Sequence, residues 1–265
     1  MQRMGPPQWR KYPPAQDFAR LYQNDPGEAL DAAHGVTRLM AADLHEVGIN
    51  VDCAPVLDVP APGAHGIIGD RAYGDDPESI IALARVVAGA FLEGGVLPVI
   101  KHMPGHGRAR ADSHKALPVI EASLDDLAGS DFRPFMALND LPLAMTAHVV
   151  LKALDEDAPA SVSALIMDKV IRKQIGFKGL VMSDDLDMAA LKGTLPERAK
   201  GVISAGCDVV LHCSGNLSDA EQVADAVPVL EAKALARYQA ALARLREPEP
   251  FDEKRALGML EKLQA

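Results

Sequence analysis

The stretch "VLPVIKH", Val96 to His102, is an apolar run that ends in two polar side chains. Short apolar runs without polar alternation are typical of parallel strands that helices cover on both faces. Polar residues at the carboxyl end of such a strand are typical of a functional site. The same pattern recurs in four other stretches: "INVDCAPVLDV" around Asp58, "LPLAMTAHVVL" near His148, "GLVMSDDL" with Asp184 and Asp185, and "CDVVLHCSG" with His212.

Stretches with helical periodicity lie between these strands, for example "EALDAAHGVTRLMAADLHEVG" and "PESIIALARVVAGAFLEGG". Alternating strands and helices predict an α/β fold with a parallel sheet. The sheet could be open and doubly wound, or it could form most of a (β/α)8 TIM barrel. Polar strand ends converge on one mouth in a barrel but spread along an edge in an open sheet, so their number favours the barrel. We find no GxGxxG or GxxxxGK[ST] motif and no linker, and we expect a single domain over residues 1–265.

Composition narrows the range of partners and locations. The chain has 265 residues and a formal net charge of −10. Such a charge repels nucleic acid and anionic membranes, so we expect neither as a partner and expect a small substrate instead. The sequence has no apolar run of roughly 18 residues that could span a membrane and no apolar signal-peptide core at its start. Its three cysteines lack CxxC spacing. These features predict a cytoplasmic protein with reduced thiols.

The segment "KHMPGHGRARADSHKALP", Lys101 to Pro118, gathers histidines, cations and an aspartate directly after a strand. Its prolines and glycines break regular structure and predict a loop. The loop could be a simply solvated segment, or it could carry an acid/base histidine. The loop could also bind a metal through four of its side chains, which are His102, His106, Asp112 and His114.

Acid/base chemistry is the interpretation that the spacing favours. The gap between His102 and His106 contains proline and glycine, so the two rings share no helix face on which to hold a metal. A solvated loop does not explain why so many functional side chains gather here. The motif "DSH" places Asp112 two residues before His114, where the carboxylate can accept one imidazole N–H. Such a contact fixes the tautomer and raises the basicity of the other ring nitrogen.

Four motifs, "IGDRAYGDDPE", "KHMPGHG…DSHKALP", "GFKGLVMSDDLDM" and "AGCDVVLHCSGN", resemble the β-N-acetylhexosaminidases of glycoside hydrolase family 3. The similarity runs in order from residue 2 to roughly residue 235. It points to the bacterial cytoplasmic single-domain type that works in peptidoglycan recycling. The resemblance implies a (β/α)8 barrel and a retaining mechanism with a covalent glycosyl-enzyme intermediate.

The resemblance also assigns roles to individual positions of this sequence. It implies that Asp184 is the nucleophile and that His114, paired with Asp112, is the acid/base residue. The substrate would be the terminal N-acetylglucosamine of a peptidoglycan fragment, with no cofactor or metal, and the enzyme would be a monomer. The sugar-binding positions that the resemblance implies are Arg3, Arg71, Lys101 and His102.

The chain departs from the family at its start. Family members carry a strand that ends in Asp-Gln-Glu-Gly-Gly-Arg just before the residues that match "MQRM". We therefore expect this chain to lack the first two βα units of the barrel, about 60 residues at the usual size of such a unit. A misassigned start codon or a true truncation would both explain this. A barrel without two strands has two unpaired sheet edges.

Other interpretations stay open at this point. Lys101 could form a Schiff base, as in barrel aldolases, although its neighbour His102 and the resemblance favour a contact with a sugar hydroxyl. The chain could be an inactive or degenerate barrel fragment that binds a sugar or has no catalytic role. A third alternative is a metal-dependent barrel hydrolase that uses the loop histidines.

Overall fold

The computed structural model describes residues 4–264, so the predicted sugar-binding residue Arg3 lies outside the described residues. In this range the helices are α1 (Ala15–Asn24), α2 (Pro26–Glu46), α3 (Pro77–Glu93), α4 (Leu124–Gly129), α5 (Arg133–Ala137), α6 (Ala164–Ile166, continued by a π-helical segment Met167–Gln174), α7 (Leu195–Ala205), α8 (Leu217–Ala226), α9 (Ala232–Leu242) and α10 (Glu253–Gln264). The strands are β1 (Val51–Asp52), β2 (Leu97–Met103), β3 (Val119–Ile120), β4 (Leu143–Thr146), β5 (Val150–Leu151), β6 (Leu180–Asp185) and β7 (Val209–Leu211).

Five of these strands form one parallel sheet in the order β1-β2-β4-β6-β7. The predicted α/β fold is confirmed, and the sheet is curled into a half-barrel. Within residues 4–264, β1 and β7 each pair on one side, so the described sheet does not close into a complete barrel. All strand directions agree, which brings the carboxyl ends of the five strands to the same side of the sheet.

The inner strands β2 and β4 are buried on both faces, and this explains why they read as continuous apolar runs. On one face Ile100 and Ala144 pack in a cluster with Phe135 and with apolar residues of α6. On the other face Val99 and Met145 belong to a second cluster that includes residues of α9. Neighbouring residues of a strand point to opposite faces. Because both faces are covered, Val99 and Ile100 in β2 both need an apolar side chain, and so do Ala144 and Met145 in β4.

Local sequence signals set the starts of the long helices. Asp25 caps α2 by accepting a hydrogen bond from the backbone N–H of Glu28, and Asp76 caps α3 in the same manner. In both helices a proline follows the cap, where its missing N–H costs nothing. Thr194 and Glu197 form a reciprocal capping box at the start of α7. These three helices therefore begin where the sequence offers a cap.

One predicted strand, "LPLAMTAHVVL", is wrong as a single element. It divides into β4 and β5, and β5 pairs with β3 in a separate two-stranded sheet. The chain leaves the main sheet at His148, whose ring nitrogens bond Ser161 and the backbone oxygen of Asp185. These contacts hold the side chain at the sheet end, so the strand cannot continue straight through it. Among residues 4–264, none of the helices combines the length and the apolar character needed to cross a membrane.

Asp208, directly before β7, joins three parts of the fold through one buried carboxylate. Its Oδ2 accepts hydrogen bonds from the backbone N–H of Val181 in β6 and from Arg172 of the π-helical segment, both at 2.9 Å. Its Oδ1 accepts one from Arg237 of α9 at 2.6 Å. The Asp208 side chain is 3% exposed, so water cannot easily take the place of the carboxylate as the acceptor for these three donors.

We predict that Asp208→Ala lowers the free energy of unfolding by about 3 kcal/mol, because it leaves two cations and a buried N–H without their acceptor. Chemical denaturation followed by circular dichroism measures this. Asp168→Ala is the matched control, because its carboxylate bonds Lys173 on the exposed surface and its loss should leave stability nearly unchanged. Equal losses in the two variants would contradict the role of Asp208.

Candidate active site

The parallel sheet brings the polar strand ends together at one edge, as the sequence analysis expected. Lys101 and His102 lie at the end of β2, Asp184 and Asp185 at the end of β6, and His212 directly after β7. Asp58 follows β1, and the segment that carries it pairs with β2 through a bridge between Val56 and Lys101. The edge therefore combines imidazoles, carboxylates and an ammonium group within one region.

Asp58 is the fixed point of this edge. Its side chain is fully buried, and its Oδ2 lies 2.6 Å from His102 Nδ1. Its Oδ1 accepts hydrogen bonds from the backbone N–H groups of His106 at 2.6 Å and His102 at 3.3 Å. Burial alone would raise the pKa of this carboxyl, but His102 and His106 outweigh it and the pKa is lowered. Asp58 is therefore a carboxylate at neutral pH, and it holds His102 in one orientation.

The loop after β2 begins with a close contact between two backbone segments. A Cβ atom at Gly107 would lie 2.0 Å from the carbonyl oxygen of Val59, so only glycine fits there. Two backbone hydrogen bonds continue the contact, from the N–H of Ala61 to the oxygen of Gly107 at 3.2 Å and from the N–H of His65 to that of Ala109 at 2.7 Å. The first half of the loop is thus tied to the segment that follows Asp58.

Other contacts fix the middle of the loop and its far end. Arg108 Nε donates to the buried carboxylate of Asp131 at 2.7 Å. The ring of His106 is buried, and its Nε2 lies 3.3 Å from Ser113 Oγ. The backbone N–H of Ala190, which follows β6, donates to the oxygen of Ser113 at 3.2 Å. The loop therefore reaches from the end of β2 to the turn after β6.

The structure contains the contact between Asp112 and His114 that the spacing predicted. Asp112 Oδ1 lies 2.9 Å from His114 Nδ1 and also accepts the backbone N–H of His114 at 2.9 Å. The His114 N–H, followed by its ring, lowers the pKa of the Asp112 carboxyl, which stays ionised at neutral pH. The His114 side chain is 63% exposed. With Nδ1 held by the carboxylate, Nε2 is the nitrogen that can exchange a proton with a substrate.

Asp184 and Asp185 differ in their surroundings although they are adjacent. Asp185 Oδ1 accepts from the backbone N–H groups of Asp187 at 3.2 Å and Cys213 at 3.1 Å, so this carboxylate caps the turn. Asp184 accepts only the N–H of Asp185 among the described side-chain hydrogen bonds. Burial lowers the pKa of His148, and the negative charges of Asp184 and Asp185 partly oppose this shift. Asp184 is half-buried, and its carboxylate has fewer hydrogen-bond partners than that of Asp185.

Two predicted sugar-binding residues line one cavity. Arg71 and Lys101 share it with Asp52, Cys53 and Tyr73. Arg71 also donates to the backbone oxygen of Ile67 at 2.7 Å. Burial raises the pKa of Asp52, and the charge of Lys101 partly opposes this shift. The two cations therefore line the same cavity, while His102 is buried.

The loop histidines do not gather as metal ligands. A metal site of this kind needs at least three His, Cys, Asp or Glu side chains with their ligand atoms close together. Across residues 4–264, one group meets this condition, and it consists of Asp185, Asp187 and His212. None of the loop histidines belongs to it. His102 bonds Asp58, and His114 bonds Asp112. The alternative of a hydrolase with a metal on this loop is therefore not supported.

No sequence pattern predicted a role for Asp58 or for Ser113. Asp58 follows an apolar strand that pairs with the strand carrying His102, and this pairing was the signal that could have linked them. Ser113 lies between Asp112 and His114 without a pattern of its own. Its burial and its bonds to His106 and Ala190 arise only when the loop folds.

Comparisons with known proteins agree with this fold. The sequence matches the glycosyl hydrolase family 3 N-terminal domain over residues 3–247. A β-hexosaminidase of Alkalilimnicola ehrlichii is 37% identical over 260 residues, which cover 89% of this chain and 74% of the relative. A β-hexosaminidase of Methylobacillus flagellatus is 36% identical over 231 residues, covering 86% of this chain and 66% of the relative.

A solved structure is similar over nearly the whole chain. NagZ from Neisseria gonorrhoeae, in complex with N-trifluoroacetyl-D-glucosamine, superimposes with a TM-score of 0.84 at 30% sequence identity. The match covers 96% of this chain and 76% of that one. The chain thus spans two thirds to three quarters of the length of these relatives. It belongs to glycosyl hydrolase family 3, through the N-terminal domain of that family.

Proposed function

We propose that the protein is a retaining β-N-acetylglucosaminidase that removes terminal N-acetylglucosamine from peptidoglycan fragments. One observation carries the proposal. The backbone N–H of Ala190 donates a hydrogen bond to the backbone oxygen of Ser113. This bond connects the loop of Asp112 and His114 to the turn that follows Asp184. A proton donor and an anion are thereby held at one mouth, which is what cleavage of a glycosidic bond requires.

The geometry supports a double displacement. Asp184 attacks the anomeric carbon, and the bond to the leaving oxygen breaks while His114 Nε2 gives that oxygen a proton. Asp112 keeps the proton on Nδ1 and stabilises the imidazole in this tautomer. In the second step His114 takes a proton from the acceptor, whose oxygen displaces Asp184 from the sugar. The acceptor is water in hydrolysis, and phosphate would serve the same chemistry.

Sugar recognition would come from Arg71, Lys101 and His102. The first two line one cavity together, and Asp58 holds the ring of His102 in a fixed orientation. The β-hexosaminidase relatives and the glucosamine derivative bound to the Neisseria NagZ support an N-acetylated amino sugar as the ligand. Arg3, a cytoplasmic location and a monomeric state stay predictions of the sequence.

The test is turnover of an aryl β-N-acetylglucosaminide by the purified 265-residue chain, with a release of N-acetylglucosamine from a disaccharide peptide fragment. Activity on both substrates supports the proposal. A folded chain that binds N-acetylglucosamine without turnover would favour the alternative of an inactive sugar-binding fragment. Hydrolysis that a chelator abolishes would favour the metal-dependent alternative.

Asp184→Ala should lower kcat by about 10⁴-fold or more, because it removes the atom that bonds to the anomeric carbon. A 2-fluoro sugar that traps the intermediate should label Asp184, and mass spectrometry of the peptides locates the label. Asp168→Ala, which removes an exposed carboxylate away from the mouth, should keep full activity. A label on another residue would show that Asp184 is not the nucleophile.

The loss of turnover in His114→Ala should depend on the leaving group of the substrate. Poor leaving groups need a proton, so their turnover should fall by about 10²–10⁴-fold, whereas activated aryl oxygens should lose much less. Asp112→Ala should show the same trend more weakly, because the tautomer is then no longer fixed. A series of aryl substrates with different leaving-group pKa values measures this. Equal losses across the series would mean that His114 binds the sugar rather than transferring a proton.

Gly107→Ala should displace the catalytic loop, because its Cβ would collide with the backbone of Val59. We expect a loss of kcat of at least about tenfold, since a small misplacement of the acid/base residue is costly. Gly129→Ala is the matched control, because a Cβ there meets no atom within 4 Å. Steady-state kinetics and thermal melts of both variants separate a displaced loop from an unfolded protein. Normal kinetics in Gly107→Ala would contradict the close backbone contact.

A further inference from the structure

A cavity to which the proposed reaction assigns no role lies along the loop after β2. Its volume is about 390 Å³, which is within the range of binding sites for small molecules. Two cations of the loop, Arg108 and Arg110, contribute to its lining. Most of the other lining residues are apolar, among them Pro62 and Val119. The cavity therefore combines guanidinium groups with an apolar surface.

Backbone pairing holds the walls of this cavity in place. The segment after Asp58 is joined to the loop by the hydrogen bond from the N–H of Ala61 to the oxygen of Gly107 at 3.2 Å. Another wall is β3, which pairs with β5. This pairing continues in the hydrogen bond from the N–H of Lys152 to the oxygen of Ile120 at 3.0 Å. The small sheet that stands apart from the main one therefore gives the cavity a fixed side.

Both cations of the cavity have nitrogen atoms without an acceptor. Arg108 uses its Nε for Asp131, and across residues 4–264 its two terminal nitrogens make no hydrogen bond. Arg110 is exposed and forms no ion pair with any of the described residues. The carboxylate in the lining, Glu121, is bonded to Lys152 at 3.0 Å. The two guanidinium groups can therefore donate to a carboxylate that comes from outside the chain.

The charge of the loop is opposite to that of the chain. The formal net charge of the chain is −10, whereas residues 101–118 carry four cationic side chains and one carboxylate, with the histidines neutral. The chain as a whole repels an anionic ligand, and a local group of cations offsets this repulsion where the ligand binds. The loop therefore favours a ligand with negative charge.

The leaving group of the proposed reaction starts within reach of this cavity. His114 gives its proton to the leaving oxygen, so the group attached to that oxygen extends away from His114. Arg110 precedes His114 and Val119 follows it in the same loop, and both of these neighbours line the cavity. The chain from Arg110 to His114 spans at most about 14 Å. A short extended peptide on the leaving sugar covers the same distance.

We propose that Arg108 and Arg110 form a subsite that binds a free carboxylate on the peptide of the leaving group, with the apolar lining around Val119 against its side chains. This subsite rests on the proposed function, because it needs a substrate with a peptide on the leaving sugar. Guanidinium groups suit the role, since their planar N–H groups match the two oxygens of a carboxylate. The subsite is separate from the cavity of Arg71 and Lys101, which is proposed to bind the N-acetylglucosamine.

Isothermal titration calorimetry with catalytically inactive protein tests the subsite without turnover. The two ligands are a disaccharide peptide fragment with free carboxylates and the same fragment with its carboxyl groups amidated. The 265-residue chain with Asp184→Ala should bind the free form at least about fivefold more tightly, because the amide loses a charged hydrogen bond. Adding Arg110→Gln should reduce this ratio of Kd values to less than about twofold. Arg20→Gln is the matched control, because it removes an exposed cation that pairs with Asp17, and it should keep the full ratio.

Equal Kd values of the two fragments for the Asp184→Ala protein would overturn the subsite. A ratio that persists when Arg110→Gln is added, or the absence of binding by both fragments, would overturn it as well. Thermal melts show that the variants are folded, and Arg110 is exposed, so its substitution removes no core contact. Turnover of an aryl β-N-acetylglucosaminide by the wild type is measured separately. Its absence would contradict the glycosidase activity, whereas the calorimetry alone decides whether Arg110 binds the carboxylate.

Discussion

The buried carboxylate of Asp58 is the interaction on which the rest of the mouth depends. It joins the segment after β1 to the end of β2 and to the start of the catalytic loop, through the ring of His102 and two backbone N–H groups. A buried charge is costly unless donors surround it, so the three partners must be in place before this edge of the sheet is stable. The same requirement fixes the direction in which the loop leaves the strand.

From this fixed point the loop crosses the mouth to β6. It is held in its middle by Arg108 and further along by the hydrogen bond between the backbones of Ser113 and Ala190. Directly after the second anchor, His114 stays exposed, although Asp112 fixes its ring nitrogen. The arrangement combines a positioned acid/base residue with a ring that a substrate can reach. The rigid strand end that carries Asp184 supplies the other half of the site.

The sequence predicted those parts of the molecule that depend on neighbouring residues. Apolar runs located the strands of the main sheet, and the spacing of Asp112 and His114 predicted their contact. Parts that depend on distant residues were not predictable in this way. The partners of Asp58 lie 44 and 48 positions away. The pair of β3 and β5 consists of two residues in each strand, too short for any periodicity to show. The placement of β5 outside the main sheet follows from the hydrogen bonds of His148, which no local pattern encodes.

The contact between Gly107 and the segment after Asp58 has a consequence for how the sequence can vary. The loop touches that segment through backbone atoms, at the oxygen of Val59 and the N–H groups of Ala61 and His65. Every residue except proline has the N–H that these hydrogen bonds use. The residues at positions 61 and 65 can therefore be substituted by many others without displacing the loop. Position 107 must stay glycine, so substitutions at this contact are tolerated in the segment after Asp58 but not at position 107 of the loop.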